Sequence, residues 1–320
     1  MRLINIRLLG CVAVLGSLAL VPLAVCRDNS PLPAAELVRQ AVQNETTANG
    51  QHFMFRDERR TPHVSETKLV VEARDATAGI IILKDGRPLS PEQQKAEQSR
   101  LENYVRNPDE LNRKRKQEKE DADRTLRILK ALPDAFLFEA DGTQEGTVGV
   151  GRPGDRLVRL KFRPNPAYDP PTRVEQVLTG MAGTLLVDAN EKRIAEINGT
   201  LQKDVGFGWG ILGHLDSGGR FVVQQADVGN KQWELTRMEL AFTGKILIFK
   251  KLNIRSSDIF SGFRPVPKDL SFAQAVDLLK KEVTRIAPNS NGRNSSEQKN
   301  RVDGGQAGLS FTRRTQFVHG

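Results

Sequence analysis

Short stretches of alternating apolar and polar residues, separated by turns rich in glycine and asparagine, fill most of the chain beyond position 136. In the clearest stretch, "DRLVRLKFR", three apolar residues alternate with basic ones. Such alternation is typical of antiparallel strands that have one apolar face and one solvated face. The turns are too short for the crossovers that parallel strands require. The sequence therefore predicts one large antiparallel sheet, and a sheet with so many strands is expected to curl.

Helical signals stand at both ends of this predicted sheet. The segment "PAAELVRQAVQN", residues 33–44, has its apolar side chains at helical spacing. Ser271 and Gln274 form a capping box, in which the two side chains satisfy free N–H groups at the start of a helix. We therefore predict an N-terminal helix and a C-terminal helix that packs against the sheet.

Two further helices are predicted between the early strands and the long run of later ones. Ser90 and Asn107 each precede a proline and an acidic residue, which is a helix-start signature, and the helices are placed at about 91–106 and 108–131. The second contains "NRKRKQEKEDADR", in which acids nearly balance bases. We favour a solvated helix held by ion pairs over a basic contact surface. Its predicted anchors to a core are Leu126, Leu129 and Leu132.

Together these features predict an α+β fold with a large curved antiparallel sheet, or half-barrel. It carries an N-terminal helix, an inserted charged helical pair and a C-terminal helix, and helices are expected to pack into the concave face. We place a single domain at 27–287, with the insertion at about 90–131. Residues 288–320 are polar, glycine-rich and aperiodic, and are predicted to form a disordered tail.

Residues 1–26 are typical of a bacterial export signal. Arg2 and Arg7 form a basic start, an apolar run follows, and Pro22 interrupts that run near its end. The run is slightly short of the roughly 20 residues that span a membrane, so a retained anchor is the less favoured alternative. The segment before Cys26 resembles a lipoprotein signal, which makes Cys26 a candidate for lipidation. These features predict a protein in the periplasm or attached to a membrane of the bacterial envelope.

The charge and the composition narrow the class of partner. A net charge of +9 favours acidic partners, such as an anionic membrane surface. Aromatic residues make up only 6% and do not interleave with basic runs, so no single-strand binding platform is indicated, and export also argues against nucleic acid. Cys26 is the one cysteine left after cleavage, and the four histidines are scattered. The sequence therefore predicts no disulfide, no metal site and no cofactor.

Two local motifs are those of enzymes, but neither has the required context. The stretch "GHLDSGGR" resembles the nucleophile loop of chymotrypsin-like proteases, yet His214 is too close along the backbone to act as the base for Ser217. "GVGRPG", residues 149–154, matches a dinucleotide-binding pattern, yet a strand follows where a helix is needed. Both segments are predicted to be turns, the first of them a hairpin, and no catalytic residue is assigned.

The apolar faces of several strands are predicted to line a groove on the concave side of the sheet. In "TRMELAF" three apolar residues alternate with charged ones, as they do in "DRLVRLKFR". The segment "FGWGILG" adds a tryptophan among glycines, which predicts either a groove wall or a bent strand over a packed core. The predicted ligand-binding residues are Val158, Leu160, Phe162, Trp209, Met238, Leu240 and Phe242.

This order of elements resembles the Lol-type lipoprotein carriers and receptors, which share the LolA/LolB-like fold. The segments "GRPGDRLVRLKFRPNP" and "GTLLVDANEKRIAEINGTL" carry the resemblance, which covers roughly 33–287. Residues 157–279 also look like exported bacterial proteins of unknown function. The resemblance implies a half-barrel that binds an acyl chain, a lipid, a lipoprotein or a hydrophobic peptide.

Three functions follow as hypotheses. The first is an exported envelope protein that binds a lipid or lipoprotein and is not an enzyme. The second is an envelope sensor or assembly module whose groove binds a protein segment. The third, less favoured, is a hydrolase of wall polymers. A binding protein predicts an apolar concavity, whereas a hydrolase predicts titratable side chains that converge in a cleft. The sequence leaves the oligomeric state open.

Overall fold

A computed structural model of the chain describes residues 32–48, 50–207, 213–246 and 250–286. The side chains of residues 207, 246 and 250 are not among those described. The predicted signal peptide with Cys26, the predicted tail and Trp209 lie outside the described residues, and what was inferred about them stays a prediction.

Helices and strands follow one another in the order that the sequence predicts for an α+β protein. The helices are α1 (Ala34–Thr47), α2 (Pro91–Arg106), α3 (Pro108–Ala135), α4 (Arg173–Gln176) and α5 (272–286), and Val177–Gly180 is a 3-10 helix. The early strands are β1 (His52–Arg60), β2 (Ser65–Glu72), β3 (Thr77–Lys84) and β4 (Arg87–Pro88). The later strands are β5 (Phe136–Glu145), β6 (Arg156–Pro164), β7 (Met181–Asp188), β8 (Ile194–Leu201), β9 (Val205–Phe207), β10 (Gly213–Leu215), β11 (Arg220–Asp227), β12 (Trp233–Ile246) and β13 (Lys250–Val266).

The strands form one open antiparallel sheet. Its order is β4-β3-β2-β1-β13-β12-β11-β8-β7-β6-β5, and the short strands β9 and β10 lie beside the far end of β12. Among the described residues, the edge strands β4 and β5 each pair on one side alone, so the sheet does not close into a barrel. The predicted fold class, a large antiparallel sheet with an N-terminal and a C-terminal helix, is therefore confirmed.

One core cluster joins α1 and the C-terminal end of α3 to the strands β5 to β8. The apolar stripe of α1 that the sequence predicts is buried there, namely Leu37, Val38, Ala41 and Val42. These side chains pack near Leu160, Leu185 and Val187 of the strands. The N-terminal helix is therefore held by burial of apolar area, because it has no side-chain cap at its start.

A second core cluster joins α2 and α5 to the strands β1 to β3. Leu101 of α2 packs there with Ala275 and Leu279 of α5. The predicted capping boxes are present at both helix starts: the Ser90 hydroxyl accepts the Gln93 N–H and the Ser271 hydroxyl accepts the Gln274 N–H, each at 3.3 Å. The two helices thus begin where the sequence predicts.

The two clusters lie on opposite faces of the sheet. Successive register partners from β7 to β1 share one face, and they are Leu185, Ile197, Val223, Met238, Asp258 and Arg59. This is the face that α1 and α3 cover, whereas Met54 and Leu69 of the second cluster occupy the alternate positions. The helices are therefore divided between the two faces, with α1 and α3 on one and α2 and α5 on the other. Short connections keep each of them near the strand that it follows.

Ion pairs within each helix stabilise the helical form of the charged helical pair. They include Arg113 with Glu110, and Lys119 with Asp123, at spacings of three and four residues. Contacts to the sheet are fewer: Glu118 accepts the Thr77 N–H at 3.0 Å, and Leu132 is buried. The solvated-helix interpretation is supported. Leu126 is 37% exposed and is not the anchor predicted for it, because it lies on the outer side of α3 while Ile128 and Leu129 pack inward.

The burial of Leu101 gives a test of how α2 is attached. Leu101→Ala should lower the free energy of unfolding by about 2–5 kcal/mol, since this residue is 1% exposed and anchors an otherwise charged helix. Val105→Ala, one turn further along at 41% exposure, should change it by about 0.5 kcal/mol or less. Urea denaturation of both variants measures the difference. Equal losses would contradict the proposed anchor.

Candidate functional site

The stretch "GHLDSGGR" is a turn, as predicted, but it is not a hairpin. β10 and β11 both pair with β12, at Gly244–Ile246 and at Trp233–Ala241 respectively, so the chain resumes the same direction after residues 216–219. β10 and β11 lie one after the other along β12, whose 14 residues are enough to pair with both strands, and the turn is the loop that connects them. Within the described residues Ser217 has no hydrogen bond to a histidine, and its N–H donates to Asp204 at 2.7 Å.

An apolar cavity of about 380 Å³ lies between the C-terminal half of α3 and the sheet. Its lining consists of Arg124, Thr125, Ile128, Leu129 and Leu132 of α3, Phe136 and Phe138 of β5, Phe162, Leu178, Leu185 and Ile197, and Phe221, Val223 and Gln225 of β11. The cavity is on the face that α1 and α3 cover. A volume of this size falls within the usual range of small-molecule sites.

Long-range strand pairing builds the floor of this cavity. Leu185, Ile197 and Val223 are register partners on three adjacent strands, which brings their side chains into one row. Gly199 allows the ring of Phe221 to lie against the strand, because a Cβ at Gly199 would approach that ring to 2.4 Å. The aromatic wall is compact, and the rings of Phe136 and Phe162 are 4.7 Å apart at their centroids.

The polar groups of the cavity are few. Arg124, Thr125 and Gln225 are the polar residues among the described lining, and Arg124 forms an ion pair with Asp121 of the same helix. Arg124 is also the one ionisable side chain in that lining. The arrangement can bind an apolar chain and offer hydrogen-bond donors to a polar end group, but it brings no acid and base together.

The predicted groove residues are distributed over three places. Phe162 lines the apolar cavity. Val158 packs against the first core cluster, and Leu160, at 1% exposure, belongs to it. The side chain of Met238 is half-buried on the cavity face of β12. Leu240 and Phe242 border a second, wider cleft. A ligand-binding role for the predicted set stays a prediction.

The sequence did not indicate the residues of α3 and β11 that complete the cavity. Ile128 was hidden within a helix whose charges dominate its pattern, whereas Leu129 and Leu132 were predicted as anchors to a core and not as cavity residues. Phe221 and Val223 alternate with Arg220, Val222 and Gln224, but Val222 is itself apolar, so the alternation does not mark one face. The available signal was the apolar spacing of Ile128, Leu129 and Leu132, which marks a helix face after the charged segment ends.

The carboxyl group of Glu234 has a pKa well above its usual value, and this residue is not part of the cavity lining. Desolvation by burial raises the pKa of Glu234 to about 7, and the nearby carboxylate of Glu72 adds to the effect. Arg193 opposes the shift, but its guanidinium already donates two hydrogen bonds to Glu45, at 2.8 and 2.7 Å. No three His, Cys, Asp or Glu side chains in the described part of the chain cluster as metal ligands would.

Comparisons with known proteins found a similarity in structure but none in sequence. No protein-family model matches the chain, and no curated protein matches it. A LolA superfamily protein from Nitrosomonas europaea is similar at 10% identity and a TM-score of 0.25, over 73% of this chain and 94% of that chain. Membership of that superfamily stays a prediction. Among the described residues, no helix has the length and apolar character needed to cross a membrane.

The pKa of Glu234 predicts how stability depends on pH. Because the folded state holds a proton on Glu234 up to about pH 7 and the unfolded state releases it near 4.5, stability should fall as the pH rises through this window. Glu234→Gln should remove that loss and be more stable than the wild type at pH 8 by about 2 kcal/mol. Chemical denaturation at pH 5 and pH 8 measures both proteins. A Gln variant with the same pH dependence as the wild type would show that Glu234 is not the group responsible.

Proposed function

We propose that this protein binds the acyl chain of a lipid or lipoprotein in the cavity between α3 and the sheet. One observation carries the proposal: the cavity is lined by apolar side chains from α3 and five strands, and the polar residues among its described lining are Arg124, Thr125 and Gln225. An acyl chain that enters this cavity leaves water and contacts apolar side chains along its length. Its polar end would stay near the three polar residues.

The hydrophobic effect is large enough to drive such binding. Each buried methylene contributes about 0.8 kcal/mol, so ten of them contribute about 8 kcal/mol. This exceeds the lower range of the association cost, about 4 kcal/mol. The guanidinium of Arg124 can add a charge-assisted hydrogen bond to a carboxylate or phosphate at the end of the chain. Its ion pair with Asp121 is on the exposed side of α3 and contributes little that binding must replace.

The proposal is for a binding protein and not for an enzyme. Catalysis on a bound acyl ester would need a nucleophile or a general base within hydrogen-bond reach of it. The described lining supplies a threonine hydroxyl and a guanidinium, and no carboxylate, histidine or cysteine. We further propose that the protein acts in the bacterial envelope, for which the support is the export-type sequence of residues 1–26.

Filling the cavity tests the proposal. Val223→Trp should weaken the binding of a fluorescent long-chain fatty acid at least tenfold, since an indole on β11 occupies the space that the chain would take, while the melting temperature changes by only a few degrees. The matched control is Val148→Trp, at a residue that is 93% exposed, and it should bind as the wild type does. Fluorescence titration and thermal melting are measured on the same samples.

The outcomes separate the alternatives. Retained folding with lost uptake supports an acyl-chain site. Unchanged uptake in Val223→Trp, or no uptake by the wild type, would refute that site. If an apolar peptide bound to the wild type and the fatty acid did not, the sensor or assembly hypothesis would replace it.

A further inference from the structure

A second cleft, of about 600 Å³, lies on the strands β11, β12, β13 and β1 and carries several arginines. Arg220 and Arg255 are both register partners of Ala241, one on each neighbouring strand. Since adjacent strands are 4.7–4.9 Å apart, the two backbones are about 10 Å apart across the small Ala241 side chain. Arg60 is the register partner of Ser257, two residues from Arg255, and so faces the same way. Three guanidinium groups therefore share one cleft.

The three arginines are on the face opposite to the apolar cavity, whereas the ring of Phe221 borders both the cleft and the cavity. Phe221 and Val223 are directed to the cavity, whereas Arg220 and Val222 occupy the alternate positions of β11. The cleft is bordered by the turn at Ser217–Gly219 and by Thr61 and Pro62. A Cβ at Gly219 would approach the ring of Phe242 to 2.4 Å, so the turn is packed closely against β12. The border is concave, which excludes a flat surface and suits a discrete ligand.

The arginines of the cleft have no acidic partner among the residues that the structure describes. Across residues 32–48, 50–207, 213–246 and 250–286, no ion pair or side-chain hydrogen bond involves Arg60, Arg220 or Arg255. The single carboxylate in the lining is Glu239, and Arg237 and the Ser257 hydroxyl both donate to it. By contrast, Arg152 is paired with an acid, and its Nε lies 2.9 Å from Oδ2 of Asp227. The cleft therefore keeps an excess of positive charge.

We propose that this cleft binds a small polyanion that carries two linked phosphate groups. Each guanidinium offers five N–H donors, so three of them offer far more than one carboxylate can accept. A phosphate group carries a larger charge and three acceptor oxygens, and arginine binds it with two parallel hydrogen bonds. Two linked phosphates can meet Arg220 and Arg255 from both sides of Ala241, with Arg60 closing the third side. The hydroxyls of Thr61 and Ser256 border the same space.

Inorganic pyrophosphate is the probe. Isothermal titration calorimetry of the full chain should show binding that weakens as the salt concentration rises. Arg220→Ala/Arg255→Ala should weaken it at least tenfold, because charge-assisted hydrogen bonds are lost at both ends of the ligand. Glu239→Gln should strengthen it, since the one opposing charge is removed. The matched control is Arg87→Ala/Arg163→Ala, which removes two exposed arginines from other strands and should leave binding unchanged.

Three results would overturn the proposal. They are the absence of pyrophosphate binding, equal weakening in the control pair, and binding of anionic phospholipid vesicles without binding of pyrophosphate. Binding of vesicles alone would indicate that the arginines contact a membrane surface and do not bind a small ligand in the cleft. Thermal melting verifies that each variant folds. Fatty-acid uptake by the Arg220→Ala/Arg255→Ala variant tests the apolar cavity separately, so failure of one site is distinguishable from failure of the other.

Discussion

The register of β11 against β12 and β8 is the constraint on which both candidate sites depend. Along β11, Phe221 and Val223 are directed to the apolar cavity, and Arg220 and Val222 lie on the face of the charged cleft. A slip of one residue would exchange these faces, putting arginine among apolar side chains and apolar side chains into water. Both costs oppose the slip, so the apolar cavity on one face and the charge on the other fix the pairing together.

The helix α3 is divided along its length into a charged half and an apolar half. Its first half is charged and contacts the turn between β2 and β3 through Glu118, while its second half contributes Ile128, Leu129 and Leu132 to the cavity. The charged half adds little burial, and its ion pairs are exposed and individually weak. The apolar half therefore supplies most of the free energy that holds the helix on the sheet, and the same residues form the wall of the cavity.

Local patterns in the sequence predicted the elements but not the contacts between distant ones. Capping boxes placed the starts of α2 and α5, and alternation placed the strands, because both signals lie within a few residues. β12 continues through Gly244, and a Cβ there would approach the His214 carbonyl oxygen to 2.1 Å. That glycine is explained by the close approach of β10, a partner 30 positions earlier.

Local patterns in the sequence could not predict the two candidate sites either. The cavity needs α3 to cross strands that follow it by tens of residues, and the cleft needs Arg60 beside Ser257. Alternation predicted correctly that Leu160 faces the apolar side, but alternation does not tell a filled position from an open one. Which positions are open depends on where the helices lie, and α1 fills the space above Leu160 while the cavity remains between α3 and β11.

The two sites share β11, and Phe221 lines both of them. A ligand at one site can affect the other through the ring of Phe221 or by moving the backbone of β11. That backbone is hydrogen-bonded on both sides, to β8 and to β12, so a shift would have to break or carry along two ladders. Coupling between sites needs an element with two alternative arrangements. A strand held in the middle of a sheet offers none, so we expect any coupling between the two sites to pass through the Phe221 ring that they share.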